Sequence, residues 1–215
     1  MIGKKMNRKA IFNYIKSTLK NDLPEAIRNK PYLFLTEADL KCFLYKLFDS
    51  EGFFTDKNLL SDKGGYKTSL LHAEFPNGLK KRNNHGFYDL VILDPKHIKE
   101  ETWHGEKIRL NQKEVYIGIE IKRRCDPLRK KEEDKMKTVF ERMENDCTAF
   151  SKKGRFFAQR GIVIFVNQAS EEKSFIKKLK KKIINELKSQ KRYKHVNFFY
   201  LEIPYDKGKV NHFWI

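Results

Sequence analysis

Cysteines and long apolar runs are both scarce in this chain, and their scarcity excludes several classes of protein. The 215 residues include only Cys42, Cys125 and Cys147, with no CxxC pair, which argues against a disulfide framework and a zinc ribbon. No segment approaches the roughly 18 consecutive apolar residues of a membrane span, and the charged N-terminal stretch lacks the uninterrupted apolar region of a signal peptide. These absences predict a reducing, cytoplasmic setting and no membrane partner.

Glycine and proline are also few, and acidic residues are outnumbered by basic ones. The 11 glycines and 6 prolines are scattered, with no linker, repeat or low-complexity tract, so we predict a single domain over residues 1–215. Hydrophobic residues make up 40% of the chain, which is enough to build a core. Lys and Arg total 46 against 28 Asp and Glu, and the resulting net charge of +18 favours a polyanionic partner such as nucleic acid.

Apolar periodicity predicts alternating helices and strands. Helices are predicted at residues 7–20, ending before Pro24, from a Thr36–Asp39 capping box to residue 48, over 136–150 and over 171–190. Strands are predicted at residues 69–75, 87–94, 114–122, 161–167 and 196–203. This order predicts an α/β fold with a mixed central sheet flanked by helices.

The third predicted strand, EVYIGIEIK, carries charges within an apolar sequence. Because side chains alternate faces along a strand, Glu120 and Lys122 share a face with Gly118, while Ile119 and Ile121 share the other. A buried charge is unfavourable unless it is paired or bound to a cation. Gly118 leaves room for another group to approach, so we predict a functional site on this face.

Asp89 opens the apolar run DLVIL of the preceding strand. Since consecutive strands usually pair, Asp89 and Glu120 are expected to converge. Two carboxylates about 4 Å apart repel by about 4 kcal/mol at an effective dielectric of roughly 20. Lys122 can offset part of this repulsion and a divalent cation more, with all-oxygen ligands favouring Mg²⁺, Mn²⁺ or Ca²⁺ over zinc. Glu37, on the inward face of its helix, is a candidate third acid, and Glu74 on the first strand is its rival.

These residues resemble a known pattern. Glu37 on an early helix, Asp89 opening one strand and Glu120-Ile121-Lys122 ending the next are similar to the signature of the PD-(D/E)XK phosphodiesterase superfamily. That superfamily includes restriction endonucleases, Holliday-junction resolvases and repair nucleases. The resemblance implies that Asp89 and Glu120 are metal ligands, assisted by the Ile121 carbonyl. It also implies that Lys122 positions or activates the attacking water and that Glu37 is an auxiliary ligand.

The predicted element order supports the same resemblance. From residue 36 to 167 it is similar to the helix, three-strand, helix, strand core of the restriction endonuclease-like fold, with an extra N-terminal helix and a C-terminal helix and strand. Two features depart from the family pattern. Tyr88 replaces proline before Asp89, and the link between residues 94 and 113 is long.

The function implied by the resemblance is metal-assisted hydrolysis of phosphodiester bonds. Mg²⁺ would be the cofactor, with Mn²⁺ as a substitute, and a DNA endonuclease is favoured over an RNA-cleaving enzyme or an exonuclease. Cutting both strands would favour a homodimer. Basic residues in two segments flank the proposed site and would bind phosphates. They are Lys80, Lys81, Arg82, Arg123, Arg124, Arg129 and Lys130.

Ordinary structural roles compete for the same residues. Glu120 and Lys122 could form an exposed ion pair on an edge strand, Asp89 could close the turn before its strand, and Glu37 could complement a helix dipole. The alternative functions are a catalytically inactive nucleic-acid-binding module on the same fold and a basic assembly protein that binds RNA. An intact set of two acids and a lysine favours the nuclease. The pattern is equally compatible with sequence-specific and structure-specific cleavage.

Overall fold

A computed structural model describes the fold in twelve stretches of the chain. They are residues 7–29, 36–50, 54, 60–61, 67–81, 84–94, 115–125, 132–147, 150, 158–168, 173–203 and 210–215. The strands are β1 (Leu60–Ser61), β2 (Lys67–Thr68), β3 (Leu71–Lys81), β4 (Asn84–Leu93), β5 (Val115–Cys125), β6 (Arg160–Gln168), β7 (Val196–Ile203) and β8 (Asn211–Trp214). The helices are α1 (Arg8–Ser17), α2 (Leu23–Asn29), α3 (Glu37–Phe48), α4 (Glu132–Cys147) and α5 (Lys173–Lys182). Shorter turns are π-helical at Thr18–Asp22 and Ile183–Lys188 and 3-10 at Lys191–Tyr193.

Six of the strands form one mixed sheet in the order β3-β4-β5-β6-β7-β8, while β1 and β2 pair separately. The strands β3, β4 and β5 are antiparallel neighbours, β5, β6 and β7 run parallel, and β8 returns antiparallel to β7. Parallel neighbours need a crossover connection, which contains α4 between β5 and β6 and α5 between β6 and β7. The prediction of an α/β fold with a mixed central sheet is confirmed.

Helices cover both faces of this sheet. Phe199 and Tyr200 are neighbours on β7, so their side chains point to opposite faces. The Phe199 ring packs against Trp214, which in turn packs against α1. On the other face, Tyr200 stacks on Phe213 at a centroid distance of 5.1 Å, and Lys180 of α5 lies over the Phe213 ring. The central strands are therefore buried on both faces, which explains why the sequence of β6 is almost entirely apolar.

The predicted capping box sets the start of α3. The Asp39 N–H donates to Thr36 Oγ1 at 3.1 Å, and the Thr36 N–H donates to Asp39 Oδ2 at 2.7 Å. Behind this cap, Leu40 and Leu44 are buried on one face of the helix. The cap makes Glu37 the first residue of α3, and its side chain reaches the end of β5.

Gly118 has a packing role. A Cβ atom on Gly118 would lie 2.9 Å from Ala158 Cβ and 3.0 Å from Phe150 Cε1. A Cβ atom on Gly161, its partner on β6, would lie 2.7 Å from the Phe150 ring. The two glycines together make room for one phenylalanine ring. The group that approaches Gly118 is therefore the Phe150 ring, so this glycine gives no separate support for a functional site.

Several elements differ from the predicted ones. The N-terminal helix does not end before Pro24, because a π-helical turn joins α1 to α2, which contains this proline. A wider turn relieves the clash of a proline ring with the carbonyl four residues earlier. The strands β3 and β4 extend through the predicted basic connector as a long hairpin, with irregular register between Pro76 and Lys80. The four-residue β8 has too short a pattern to be predicted from periodicity.

Candidate active site

Asp89 is held against β5 where the ladder between β4 and β5 ends. The described pairing at this end stops at Leu90 and Ile119. Just beyond it, Asp89 Oδ2 accepts a hydrogen bond of 2.7 Å from the Ile121 N–H. The side chain takes the place of a ladder hydrogen bond and holds Asp89 beside the Glu120-Ile121-Lys122 segment. Asp89 therefore lies within β4, beside the last residues of β5, and not at the entry to its strand.

Glu120 is the buried acid of the site. It is 8% exposed, and its Oε1 has no hydrogen-bond partner among the described residues. Burial raises the pKa of Glu120 to about 9, with a further rise from the charges of Asp89 and Asp146 and an opposing effect of Lys122. Without a bound cation, Glu120 is therefore protonated at neutral pH. The alternative of an exposed ion pair on an edge strand is wrong, because β5 lies between β4 and β6.

Lys122 is oriented by Glu37. Its Nζ lies 3.1 Å from Glu37 Oε1, and the Arg123 N–H donates to Glu37 Oε2 at 3.4 Å. Burial acts to lower the pKa of Lys122, but the charges of Asp146 and Glu37 outweigh it and the pKa is raised. Lys122 is therefore an ammonium group at neutral pH. In that state it suits the stabilisation of negative charge better than the removal of a proton.

Lys41 of α3 joins the rival acid Glu74 to Asp89. Its Nζ lies 3.3 Å from Asp89 Oδ1 and forms a closer ion pair with Glu74. Burial acts to lower the pKa of Lys41, but the hydrogen bond to Glu74 and the charge of Asp89 raise it. Glu37 and Glu74 therefore both reach the site, one through Lys122 and the other through Lys41.

The backbone at Glu74 is unusual for its residue type. Its φ of 51° lies in the left-handed region, which is unfavourable for a residue with a Cβ atom. Glu74 belongs to β3, and its neighbours Ala73 and Phe75 pair with Leu90 and Tyr88 on either side of Asp89. The irregular residue thus lies opposite Asp89, where the ion pair with Lys41 fixes its side chain.

Asp146 is an acid of the site that the sequence interpretation missed. Burial raises the pKa of Asp146 to about 7, Lys122 opposes this rise, and the charges of Glu37 and Asp89 add to it. Its Oδ2 is buried and lacks a hydrogen-bond partner within the described ranges. A signal was present, because Asp146 follows Met143 by three residues and so adjoins the apolar stripe of α4. Lys41 had a similar signal, four residues after Glu37 on α3.

Four of the predicted phosphate-binding residues have a described backbone, and it lies at the same end of the strands as the site. Lys80 and Lys81 lie where β3 meets β4, paired in the backbone with His85 and Asn84. Because β4 runs antiparallel to β5, the start of β4 and the carboxyl end of β5 lie at the same end of the sheet. Arg123 and Arg124 follow Lys122 on β5. Arg82, Arg129 and Lys130 lie outside the described residues.

The acids do not form a complete metal-binding cluster. Across the described ranges, no three His, Cys, Asp or Glu side chains are arranged so that they could hold a metal ion. The donor set nevertheless fits a hard divalent cation, because it consists of oxygens and includes the buried Glu120 Oε1, which lacks a partner in the described structure. Asp89 and Glu120 are the two side chains best placed to hold such an ion, since Asp89 is fixed beside Glu120 by the Ile121 N–H.

Comparisons with known proteins do not assign a function to this chain. No protein-family model, curated protein or solved structure matches the chain. No helix within the described stretches is both long enough and apolar enough to cross a bilayer.

Proposed function

We propose that the protein is a Mg²⁺-dependent nuclease, a DNA endonuclease of the PD-(D/E)XK type with a restriction endonuclease-like core. The observation that carries the proposal is Glu120, a buried acid on a central strand with one oxygen that lacks a hydrogen-bond partner in the described structure. A protein that needed only a stable sheet would gain stability from an apolar residue at this position. An acid with a strongly raised pKa is instead typical of a functional site.

Asp89, Glu120 and the Ile121 carbonyl would hold Mg²⁺, for which Mn²⁺ can substitute. When bound, such an ion lowers the pKa of a coordinated water and polarises a phosphoryl oxygen. Its charge would also favour ionised Glu120 over the protonated form that burial imposes. The Asp89 side chain is already fixed for this role by the Ile121 N–H.

Lys122 would supply positive charge to the phosphate during hydrolysis. The raised pKa keeps it as an ammonium, and Glu37 holds its Nζ at 3.1 Å. A positioned cation of this kind stabilises negative charge that develops on a reacting phosphoryl group. Glu37 then acts on the reaction through the orientation of Lys122, which makes it a positioning residue.

The substrate would reach the site from the end of the strands where the basic residues lie. Phosphate contacts there would give affinity that falls steeply with salt and depends little on sequence. DNA is favoured over RNA by the family resemblance, and cleavage of both strands would involve a homodimer.

A cleavage assay tests this proposal. Wild-type protein is incubated with supercoiled plasmid, single-stranded DNA and RNA, in Mg²⁺ or Mn²⁺, beside the variants Asp89→Ala and Lys122→Ala. Asp22→Ala and Lys177→Ala are matched controls, since both residues are exposed and lie on helical segments away from β5. The proposal predicts nicking or linearisation of plasmid by wild type and by both controls, with a loss of about a hundredfold or more in the site variants. If no substrate is cut, or if the site variants cut as well as the controls, the catalytic assignment is wrong.

The second candidate is a nucleic-acid-binding module without catalysis. Two observations favour it. Lys41 is paired with Asp89 and Lys122 with Glu37, so lysines already contact two of the acids. In addition, the described ranges contain no cluster of three metal-ligating side chains. Salt-dependent binding of DNA without cleavage in either metal would support this candidate over the nuclease.

A further inference from the structure

A second basic site lies at the opposite end of the parallel strands. There α1 and the starts of β5, β6 and β7 enclose a cleft of about 840 Å³. The side chains that give it chemical character are Arg8, Lys9, Phe12, Arg160, Lys194 and His195. The volume lies in the range of roughly 300–1,000 Å³ that is usual for ligand-binding pockets.

This cleft is separate from the candidate active site. Tyr116 lines the cleft near the start of β5, and Glu120 lies four residues further along the same strand. At about 3.3 Å per residue, their Cα atoms are roughly 13 Å apart. A phosphate bound in the cleft therefore cannot also lie at the carboxyl end of β5.

One of the arginines in the cleft has an internal structural role. Arg8 Nε donates to Asp94 Oδ1 at 3.1 Å, and its Nη2 forms a closer contact with Asp94 Oδ2. Asp94 is 0% exposed and also accepts a hydrogen bond of 2.8 Å from Gln159 Nε2. Arg8 is thus neutralised by a carboxylate beneath the cleft, and its position is fixed by the bidentate contact.

The other cations of the cleft face solvent, and none has an acidic partner among the residues that the structure describes. Lys9, Arg160 and Lys194 are exposed, and none of them forms an ion pair with a carboxylate of the described residues. No acid is among the described residues that line the cleft. The wall of the cleft therefore carries an excess positive charge that no contact within the described structure balances.

Arg160 is fixed in an orientation that suits anion binding. Its guanidinium carbon lies 4.4 Å from the centroid of the Phe12 ring, which itself packs edge-on against Trp214 at 6.2 Å. Stacking uses the flat face of a guanidinium, and at its edge Arg160 forms a side-chain hydrogen bond with Tyr116. The other N–H groups of that edge suit phosphate oxygens. A stacked arginine also loses less conformational freedom when a ligand binds.

We propose that this cleft binds phosphate esters through Arg160, Lys9 and Lys194. The shared chemistry is a ligand with two or more phosphate groups, either a free nucleotide or the backbone of a nucleic-acid strand. The site goes beyond the proposed nuclease function and does not depend on it. Its three exposed cations offer charge-assisted hydrogen bonds to more than one phosphate.

Calorimetric titration in EDTA tests the cleft without any contribution from a metal at Glu120. The ligands are pyrophosphate, ADP and a single-stranded oligonucleotide, at an ionic strength of roughly 0.15 M, where general attraction is screened beyond about 8 Å. The cleft variant is Arg160→Gln/Lys194→Gln. The control is Lys177→Gln/Lys181→Gln, which removes the same charge from exposed positions of α5. Circular dichroism checks that both variants are folded.

The expected result is binding by wild type and by the control, and an affinity at least tenfold weaker in the cleft variant. Binding of pyrophosphate and ADP identifies a free phosphorylated ligand, whereas binding of the oligonucleotide alone identifies a nucleic-acid backbone. The proposal is overturned if none of the three ligands binds wild type. It is also overturned if the cleft variant and the control weaken binding equally, because general charge would then explain the affinity. Plasmid cleavage is measured separately, so a failure of the cleft and a failure of the nuclease give different results.

Discussion

A buried carboxylate lies beside each end of β5, Asp94 at its start and Glu120 further along, and the two differ in their hydrogen bonding. Asp94, near the start of β5, is 0% exposed and is held by Arg8 and by Gln159. Glu120, near the other end of β5, is 8% exposed, and one of its oxygens has no hydrogen-bond partner in the described structure. The two acids are similarly buried, but both oxygens of Asp94 accept hydrogen bonds and Oε1 of Glu120 accepts none from the described residues.

This difference is the one expected between a carboxylate that serves the fold and one that serves the proposed site. A buried charge with an arginine partner adds little net stability, but it becomes strongly unfavourable when the partner is removed. A buried acid without a full set of partners is already unfavourable, and such groups persist where a ligand or a reaction needs them. Asp94 is therefore part of the fold, whereas the unpartnered oxygen of Glu120 is where the proposed cation would bind.

Removal of the arginine partner gives the largest expected effect. Arg8→Ala would leave Asp94 buried without its cation and should lower the free energy of unfolding by about 3 kcal/mol. Lys122→Ala at the other end should lower it by no more than about 1 kcal/mol, because its partner Glu37 is 39% exposed on its side chain and stays hydrated. Urea denaturation of both variants, with Lys9→Ala as a control, measures the contrast. Equal losses would mean that the two ends do not differ as proposed.

A metal titration tests the opposite end. Mn²⁺ at about 100 times its dissociation constant should raise the free energy of unfolding by about 2.7 kcal/mol, because only the folded protein presents the site. The rise should be absent in Glu120→Gln and retained in Asp22→Asn, a control on an exposed position. Thermal unfolding monitored by circular dichroism measures the rise in stability in both variants. An equal rise in Glu120→Gln would exclude Glu120 as a ligand.

The pH dependence of stability gives a further contrast in metal-free protein. Glu120 keeps its proton in the folded state up to a pKa of about 9, whereas its ordinary pKa is 4.5. The folded state therefore binds the extra proton between these values, so stability falls as the pH rises through this window and levels off above it. Asp146, with a pKa of about 7, makes its contribution mainly below pH 7.

The window from pH 7 to 9 thus isolates Glu120 from the other charges that face it, which are Asp89, Asp146, Lys122 and Glu37. In EDTA, wild-type stability should fall there with a slope of up to about 1.4 kcal/mol per pH unit. Glu120→Gln should be more stable than wild type at pH 8 and should show a flatter profile. A parallel pair of profiles would contradict the raised pKa.

Local sequence patterns could predict the sheet and three residues of the site. Strand alternation and element order are imposed by the core, so they can be seen within short windows of sequence. They placed Glu120 and Lys122 on one face of a strand and Asp89 on the strand before it. The contact between Asp89 and the Ile121 N–H agrees with that placement.

Contacts between distant segments could not be predicted in the same way. Asp94 is separated from Arg8 by 86 positions, and nothing in the local pattern around either residue indicates the other. The basic cleft is assembled from α1 and the starts of three strands, so it exists only after the sheet has formed. The group that approaches Gly118 could not be identified for a related reason, since the Phe150 ring comes from another segment of the chain.

The smallest effect distinguishes the two auxiliary acids. Glu37 and Glu74 are 39% and 59% exposed on their side chains, so Glu37→Gln and Glu74→Gln should each change stability by less than about 1 kcal/mol. Their effects on cleavage should differ, because Glu37 holds Lys122 while Glu74 holds Lys41. We expect kcat to fall about tenfold in Glu37→Gln, since Lys122 loses its orientation towards the phosphate, and less than about threefold in Glu74→Gln. Rescue by Glu37→Asp, which keeps the charge, would show that the carboxylate acts by positioning Lys122. A larger loss in Glu74→Gln would instead assign the auxiliary role to Glu74. Lys41, and not Lys122, would then be the lysine that acts on the phosphate.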